Sequence, residues 1–209
     1  MSRNVSNSDP LAPVARQEPP QLSAILQLQR PGNAAYCAVE EVNVLGCAMA
    51  PLPVVARVAG RQKVEAILRE TACVCVSKLA NNLRAINCED VHHIFYCYME
   101  PSGKCAAVAC NPTYPQRAAF AIAMQVAKDP RPNLPELLRK YQNPMEADRL
   151  LRLNHEIDQV RDVMNENINK ILERGEKIED VLERSQRLDD ASKKFLKNTK
   201  KLNRCCVVM

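Results

Sequence analysis

The chain ends in Cys205-Cys206-Val207-Val208-Met209. A cysteine four from the end, two aliphatic residues and a terminal Met form the box that accepts an isoprenoid, and Met in the last place favours farnesyl. The chemistry joins the lipid to the Cys206 thiolate and gives the chain an apolar anchor. Lys193, Lys194, Lys197, Lys200, Lys201 and Arg204 precede the box, with no acid from Lys193 to the terminus. A polybasic run and an adjacent second cysteine, here Cys205, are the usual companions of this box. The plain alternative is an unmodified reactive tail.

The formal net charge is +5, and the six basic residues of the tail leave the remainder at −1. Basic character is therefore local and points to an anionic surface at that end alone. No aromatic-studded basic face accompanies it, so nucleic acid is not expected as a partner. Ser2 follows the initiator Met where myristoylation needs glycine, and no secretory leader is evident. No apolar run approaches the ~20 residues that span a bilayer. The expectation is a cytosolic protein whose membrane contact comes through lipid or a partner.

Ten cysteines suggest a disulfide framework until their neighbours are read. Cys37, Cys47, Cys73, Cys75, Cys88, Cys97, Cys105 and Cys110 sit mostly among Ala, Val and Ile, as small buried thiols do. No CxxC pair occurs, and His92-His93 near Cys97 lacks zinc-site spacing. No metal and no cofactor are expected. An enzyme is not expected either. Gly103-Lys104 lacks the earlier glycine and the following Ser or Thr of a P-loop, and His92, His93 and His155 stand in no recognised catalytic order.

Elements must hold this tail in place. Residues 1–21, rich in Ser, Asn and Pro, read as a disordered extension. From Leu22, short apolar runs alternate with turn signals: Leu22 to Gln29, Ala34 to Val44, Arg84 to Cys88, His92 to Met99 and Lys104 to Cys110. Pro31-Gly32-Asn33 and Pro101-Ser102-Gly103 are hairpin signals. Val64, Ile67, Leu68, Thr71, Cys75 and Leu79 recur at helical steps between Arg61 and Asn82. A second helix is expected from Pro115 to Ala127 and a short third after Pro135. The order β-β-α-β-β-β-α-α over 22–140 predicts a small α+β domain with an antiparallel sheet.

From Met145 onward there is no proline and a single glycine, Gly175. That predicts one long helix, roughly 90 Å from Met145 to Asn203. Alternating steps of three and four pick out Leu150, Leu153, Ile157, Val160, Met164, Asn167, Ile171, Arg174, Ile178, Val181, Ser185, Leu188, Ser192, Phe195, Thr199 and Leu202. Eleven of these sixteen are apolar, which is a coiled-coil seam and demands partner helices. Arg174 stands in the seam. Either facing amide oxygens satisfy its donors and fix register, or the seam skips a turn and Arg174 is solvated.

Leu172-Glu173-Arg174-Gly175-Glu176-Lys177 at the seam centre resembles the R-SNARE motif of vesicle-fusion proteins. Tyr141-Gln142-Asn143-Pro144, the Thr113-Tyr114-Pro115 turn and the Cys-Cys-aliphatic-aliphatic-Met ending resemble the lipid-anchored longin subgroup, which lacks a transmembrane helix. The match is close over 111–209 and loose over 22–110. The resemblance implies a longin, profilin-like domain over 22–140, with a five-stranded antiparallel sheet and flanking helices. It implies an R-SNARE motif over 145–204 and a lipidation box over 205–209. Arg174 becomes the zero-layer arginine facing three Gln-bearing SNARE helices, and the other fifteen seam residues become layers of a parallel four-helix bundle. Cys206 takes farnesyl, Cys205 palmitoyl or a second prenyl group, and the basic run lies against a membrane surface. The implied location is cytosolic and peripheral, on the cytoplasmic face of Golgi, endosomal or other transport vesicles. An intramolecular contact between longin domain and SNARE segment is also implied. Two departures bear on it: the N-terminal extension, and Val58, Val64 and Ile67 where the subgroup has phenylalanines. The rival reading is a lipid-anchored coiled-coil adaptor or tether that drives no fusion.

Overall fold

The computed structural model describes residues 21–31, 37–51, 54–79, 85–89, 93–146, 149, 166–167 and 177–206, with the backbone alone at 54–59, 85–89, 166–167 and 199–206. The elements are β1 (Leu22–Gln29), β2 (Asn43–Met49), α1 (Val54–Ser77), β3 (Ala85–Glu89), β4 (Ile94–Met99), β5 (Lys104–Cys110), α2 (Gln116–Lys128), α3 (Leu134–Tyr141), β6 (Glu166–Asn167), α4 (Ile178–Arg184) and α5 (Asp190–Cys206). The strands form one sheet in the order β2-β1-β5-β4-β3-β6. All neighbours are antiparallel except β3 and the two-residue β6, which run parallel. The architecture is α+β, as the order of elements predicts.

Both faces of the sheet are covered, so β4 and β5 are apolar at almost every position rather than alternating, and β1 is buried along most of its length despite Ser23, Gln27 and Gln29. One face carries Leu26, Leu28, Phe95, Cys97, Cys105 and Ala107 beneath Leu68, Ala72, Cys73 and Val76 of α1. The other carries Ile25, Tyr96, Val108 and Cys110 beneath Ala119, Phe120, Ile122 and Ala123 of α2, with Leu134, Leu138 and Tyr141 of α3. Tyr96 meets Phe120 edge to face, centroids 4.9 Å apart. The small side chains of β5 and α2 give the thin core that few aromatics and many Ala and Cys imply. Seven cysteines with described side chains (37, 47, 73, 75, 97, 105 and 110) are in no disulfide.

Local chemistry sets the ends of α1. Its backbone winds back as far as Val54, but Gly60 has φ 100° and kinks it, so the regular helix begins near the expected Arg61. Its end falls at Ser77, short of the expected Asn82. There the guanidinium of buried Arg30, just past β1, donates to the carbonyl oxygens of Val76 (3.3 Å) and Leu79. A cation on the last-turn carbonyls completes their hydrogen bonding and suits the helix dipole. The Pro101-Ser102-Gly103 signal forms a tight hairpin between β4 and β5, with Gly103 at φ 80°. Gly32 and Asn33 of the Pro31-Gly32-Asn33 signal lie outside the described residues. β1 and β2 pair antiparallel, yet their connection is longer and includes a 3-10 turn at Val39–Glu41. Helix α2 begins at Gln116 with Pro115 as its N-cap rather than its first residue.

The single helix expected over 145–203 is overturned. Glu166 and Asn167 are extended beside Ile86 and Asn87, and α4 and α5 are separated by a turn at Ser185–Asp189. The physical cause is the missing partner. An isolated helix with an apolar seam gains little from propensity, so among the described residues the helix is broken at Ser185–Asp189, and Ile178, Leu182 and Leu188 are buried on the domain.

Candidate functional site

The candidate site is the surface of α1 on which the C-terminal segment lies. Ile178, Leu182 and Leu188 are 2, 1 and 4 % exposed and join the same core as Leu68, Cys73 and Val76. Val181, Phe195 and Leu196 pack against that core half-buried, as do Val64 and Ala66 of α1. Full burial of three large aliphatic side chains contributes on the order of 5–9 kcal/mol before the cost of ordering the chain. Val64 and Ile67, where phenylalanines are usual, do not prevent the fold-back.

Polar contacts close the turn between α4 and α5. Ser185 Oγ donates to Glu70 Oε1, and Arg187 Nε stands 3.6 Å from Glu70 Oε2. Arg187 Nη1 also donates to the carbonyl oxygens of Val39 (2.8 Å) and Val42 (3.2 Å), and its backbone N–H donates to Ser185 Oγ. Asp189 caps α5: its Oδ1 accepts the Ser192 N–H at 2.7 Å. Hydrogen bonds from the Ser192 hydroxyl and then its N–H hold the Asp189 carboxyl below its usual range. Beneath the turn, burial pushes the Cys73 thiol up to about 11, opposed by neighbouring Arg187. Lys197 Nζ pairs with Glu183 Oε2 at 3.3 Å across α5 and α4, an exposed contact of small energetic weight.

Sequence-expected residues divide into three groups. Ile178, Val181, Ser185, Leu188, Ser192 and Phe195 are brought together on α1. Asn167 lies on β6, and Thr199, Leu202, Lys200, Lys201, Arg204, Cys205 and Cys206 lie on α5 by backbone, after Lys193, Lys194 and Lys197 of the same helix. Arg174, Leu150, Leu153, Ile157, Val160, Met164 and Ile171 fall outside the described residues, as does Val207-Val208-Met209. Three contributors escape sequence reasoning. Leu182 is skipped by the three-four seam, although its i,i+4 spacing from Ile178 marks a face of a lone helix. Glu70 and Arg187, more than a hundred residues apart, carry no local signal. Among the described residues no helix is long and apolar enough to cross a membrane, and no group of three or more His, Cys, Asp or Glu could hold a metal.

The heptad-patterned C-terminal segment attached to an α+β domain is an architecture that comparison with known proteins assigns to a class. Residues 149–208 match the model of the Synaptobrevin family. The chain is 31% identical to the Synaptobrevin homolog ykt6 of Schizosaccharomyces pombe over 57% of its own length and 70% of that protein's. It is 34% identical to the VAMP-like protein YKT61 of Arabidopsis thaliana, over 52% of this chain and 63% of that one, a little under two thirds. Against the Synaptobrevin homolog YKT6 of Saccharomyces cerevisiae identity is 27%, over 58% and 70%. The chain belongs to the synaptobrevin homologues of the ykt6 type, R-SNAREs of membrane trafficking.

Proposed function

We propose that residues 145–204 supply one helix to a parallel four-helix SNARE bundle, with Arg174 as its zero layer against three Gln-bearing helices. Zippering toward the C-terminus draws membranes together, because the lipids on Cys206 and Cys205 anchor the end where zippering finishes. The N-terminal portion, 22–140, acts as a longin domain that holds the segment until partners arrive, and the working location is the cytoplasmic face of Golgi, endosomal or other transport vesicles. One observation carries this reading. Seam residues Ile178 and Leu188, which a bundle would bury as layers, are buried on α1 instead. The same apolar groups cannot occupy both places, so bundle and dock exclude each other. Arginine suits the zero layer because its five donors can be met by several amide oxygens while the flanking apolar layers keep water out.

The test mixes the full chain with Gln-bearing SNARE helices. A heat-stable, SDS-resistant complex is expected, weakened by Arg174→Gln and restored when one partner Gln becomes Arg. No complex would leave a lipid-anchored adaptor.

A further inference from the structure

We propose that Glu70 and Arg187 form a latch that selects the docked state and plays no part in the bundle. The proposal rests on the reading of dock and bundle as exclusive, and adds the residues that set the balance between them.

Arg187 lies between the seam positions Ser185 and Leu188, so in a four-helix bundle it flanks the seam and faces water. In the dock it has a different environment. Its guanidinium holds the carbonyl oxygens of Val39 and Val42 and stands against the Glu70 carboxylate, which is 5 % exposed at the side chain. Glu70 is covered because the turn lies on it. Its carboxylate accepts from Ser185 Oγ and faces Arg187 Nε, so both oxygens have a donor or a cation. When α4 and α5 leave, Ser185 becomes a layer, Arg187 becomes solvated and Glu70 returns to water. The network therefore exists in one state alone.

The energetics give the latch its sign. A carboxylate covered without a partner is costly, whereas the same group in water is not. Removing Arg187 thus penalises the dock and leaves the open state untouched. Glu70→Gln removes the covered charge while keeping an oxygen for Ser185, so it should be milder. In the Arg187→Ala background it should even restore docking, because no unpaired charge is left beneath the turn. A contact that merely packs cannot produce that reversal.

The test is peptide-resolved hydrogen exchange on the unlipidated full chain, comparing wild type, Arg187→Ala, Glu70→Gln and the double variant. In the wild type, α4 and α5 amides should be protected. Arg187→Ala should speed their exchange by about tenfold or more, the scale of lost charge-assisted hydrogen bonds. The double variant should exchange more slowly than Arg187→Ala alone. Amides of α2, on the far face of the sheet, should not change and serve as the folding control. Protection in the wild type that neither substitution alters would overturn the latch and leave the dock standing. An unprotected α4 and α5 in the wild type would overturn dock and latch together. If Glu70→Gln also deprotects α2, Arg187→Ala on the surface turn decides alone.

Discussion

Ser185 and Glu70 are 115 residues apart in sequence, and the hydroxyl of the first donates to the carboxylate of the second. The serine occupies a seam position that heptad spacing marks as a weak layer. In the folded-back chain it is the polar hinge of the turn between α4 and α5. A residue that looks like poor packing in a heptad pattern is a specific partner of Glu70 in the folded chain.

Leu182 should separate the two states. It is 1 % exposed in the dock and lies outside the seam. Leu182→Ala should cost the dock about 2–5 kcal/mol, the usual range for a buried leucine. The expected outcome is faster partner assembly with an unchanged melting temperature of the assembled complex. Ile178→Ala, at a residue used by both states, should lower that melting temperature as well.

Cys73 should report release chemically. Its thiol, raised to about 11 by burial and 1 % exposed, holds far less thiolate at pH 8 than an ordinary exposed thiol. Alkylation with iodoacetamide, followed by peptide mass spectrometry, should be slow at Cys73 and accelerate in Leu182→Ala. The same shift bears on stability. A group whose folded value is raised contributes stability that is fully present below its unfolded value, and that stability is lost as pH rises from about 8.5 towards 11. Cys73→Ala should flatten the loss measured by denaturant unfolding across that window.

Asp189 carries the opposite sign. Its carboxyl is depressed, so its contribution is present above the unfolded value near ~3.9 and lost as pH falls through the folded value. Exchange of the first-turn amides of α5, normalised for intrinsic rate, should rise several-fold below about pH 4. Asp189→Ala should show that increase already at pH 7, and Asp189→Asn, which still caps, should show less of it.

The two terminal cysteines should differ in consequence. One lipid chain gives marginal, reversible membrane binding, so stable residence needs a second signal. The six basic residues add roughly 1 kcal/mol each at an anionic leaflet. In cells, Cys206→Ser should move the protein wholly to the soluble fraction. Cys205→Ser should retain weak attachment that high salt disperses; an unchanged membrane fraction would remove Cys205 from the anchor.

Much of the fold is legible in the residues themselves. Near-continuous apolar runs mark β4 and β5 because both faces of the sheet are covered, and helical spacing from Val64 to Cys75 marks α1. The end of α1 is not legible, since it depends on Arg30 arriving from β1. Nor is the longer β1–β2 connection, which includes the 3-10 turn at Val39–Glu41.

The sequence by itself carries a heptad pattern from Leu150 to Leu202 whose apolar face calls for a cover, and the Cys205-Cys206-Val207-Val208-Met209 ending after it. It supplies the amphipathic pattern, the basic run and Cys205-Cys206. Tertiary structure alone decides what covers Ile178, Val181, Leu188 and Phe195 in the free chain. Periodicity describes a face and is blind to what meets it, and one apolar face is satisfied equally by partner helices or by α1. The choice turns on contacts between distant positions, Glu70 with Ser185 and Arg187, and Ile178 and Leu182 with the α1 core. No local pattern encodes such contacts, because their energy arises only when the chain has brought them together.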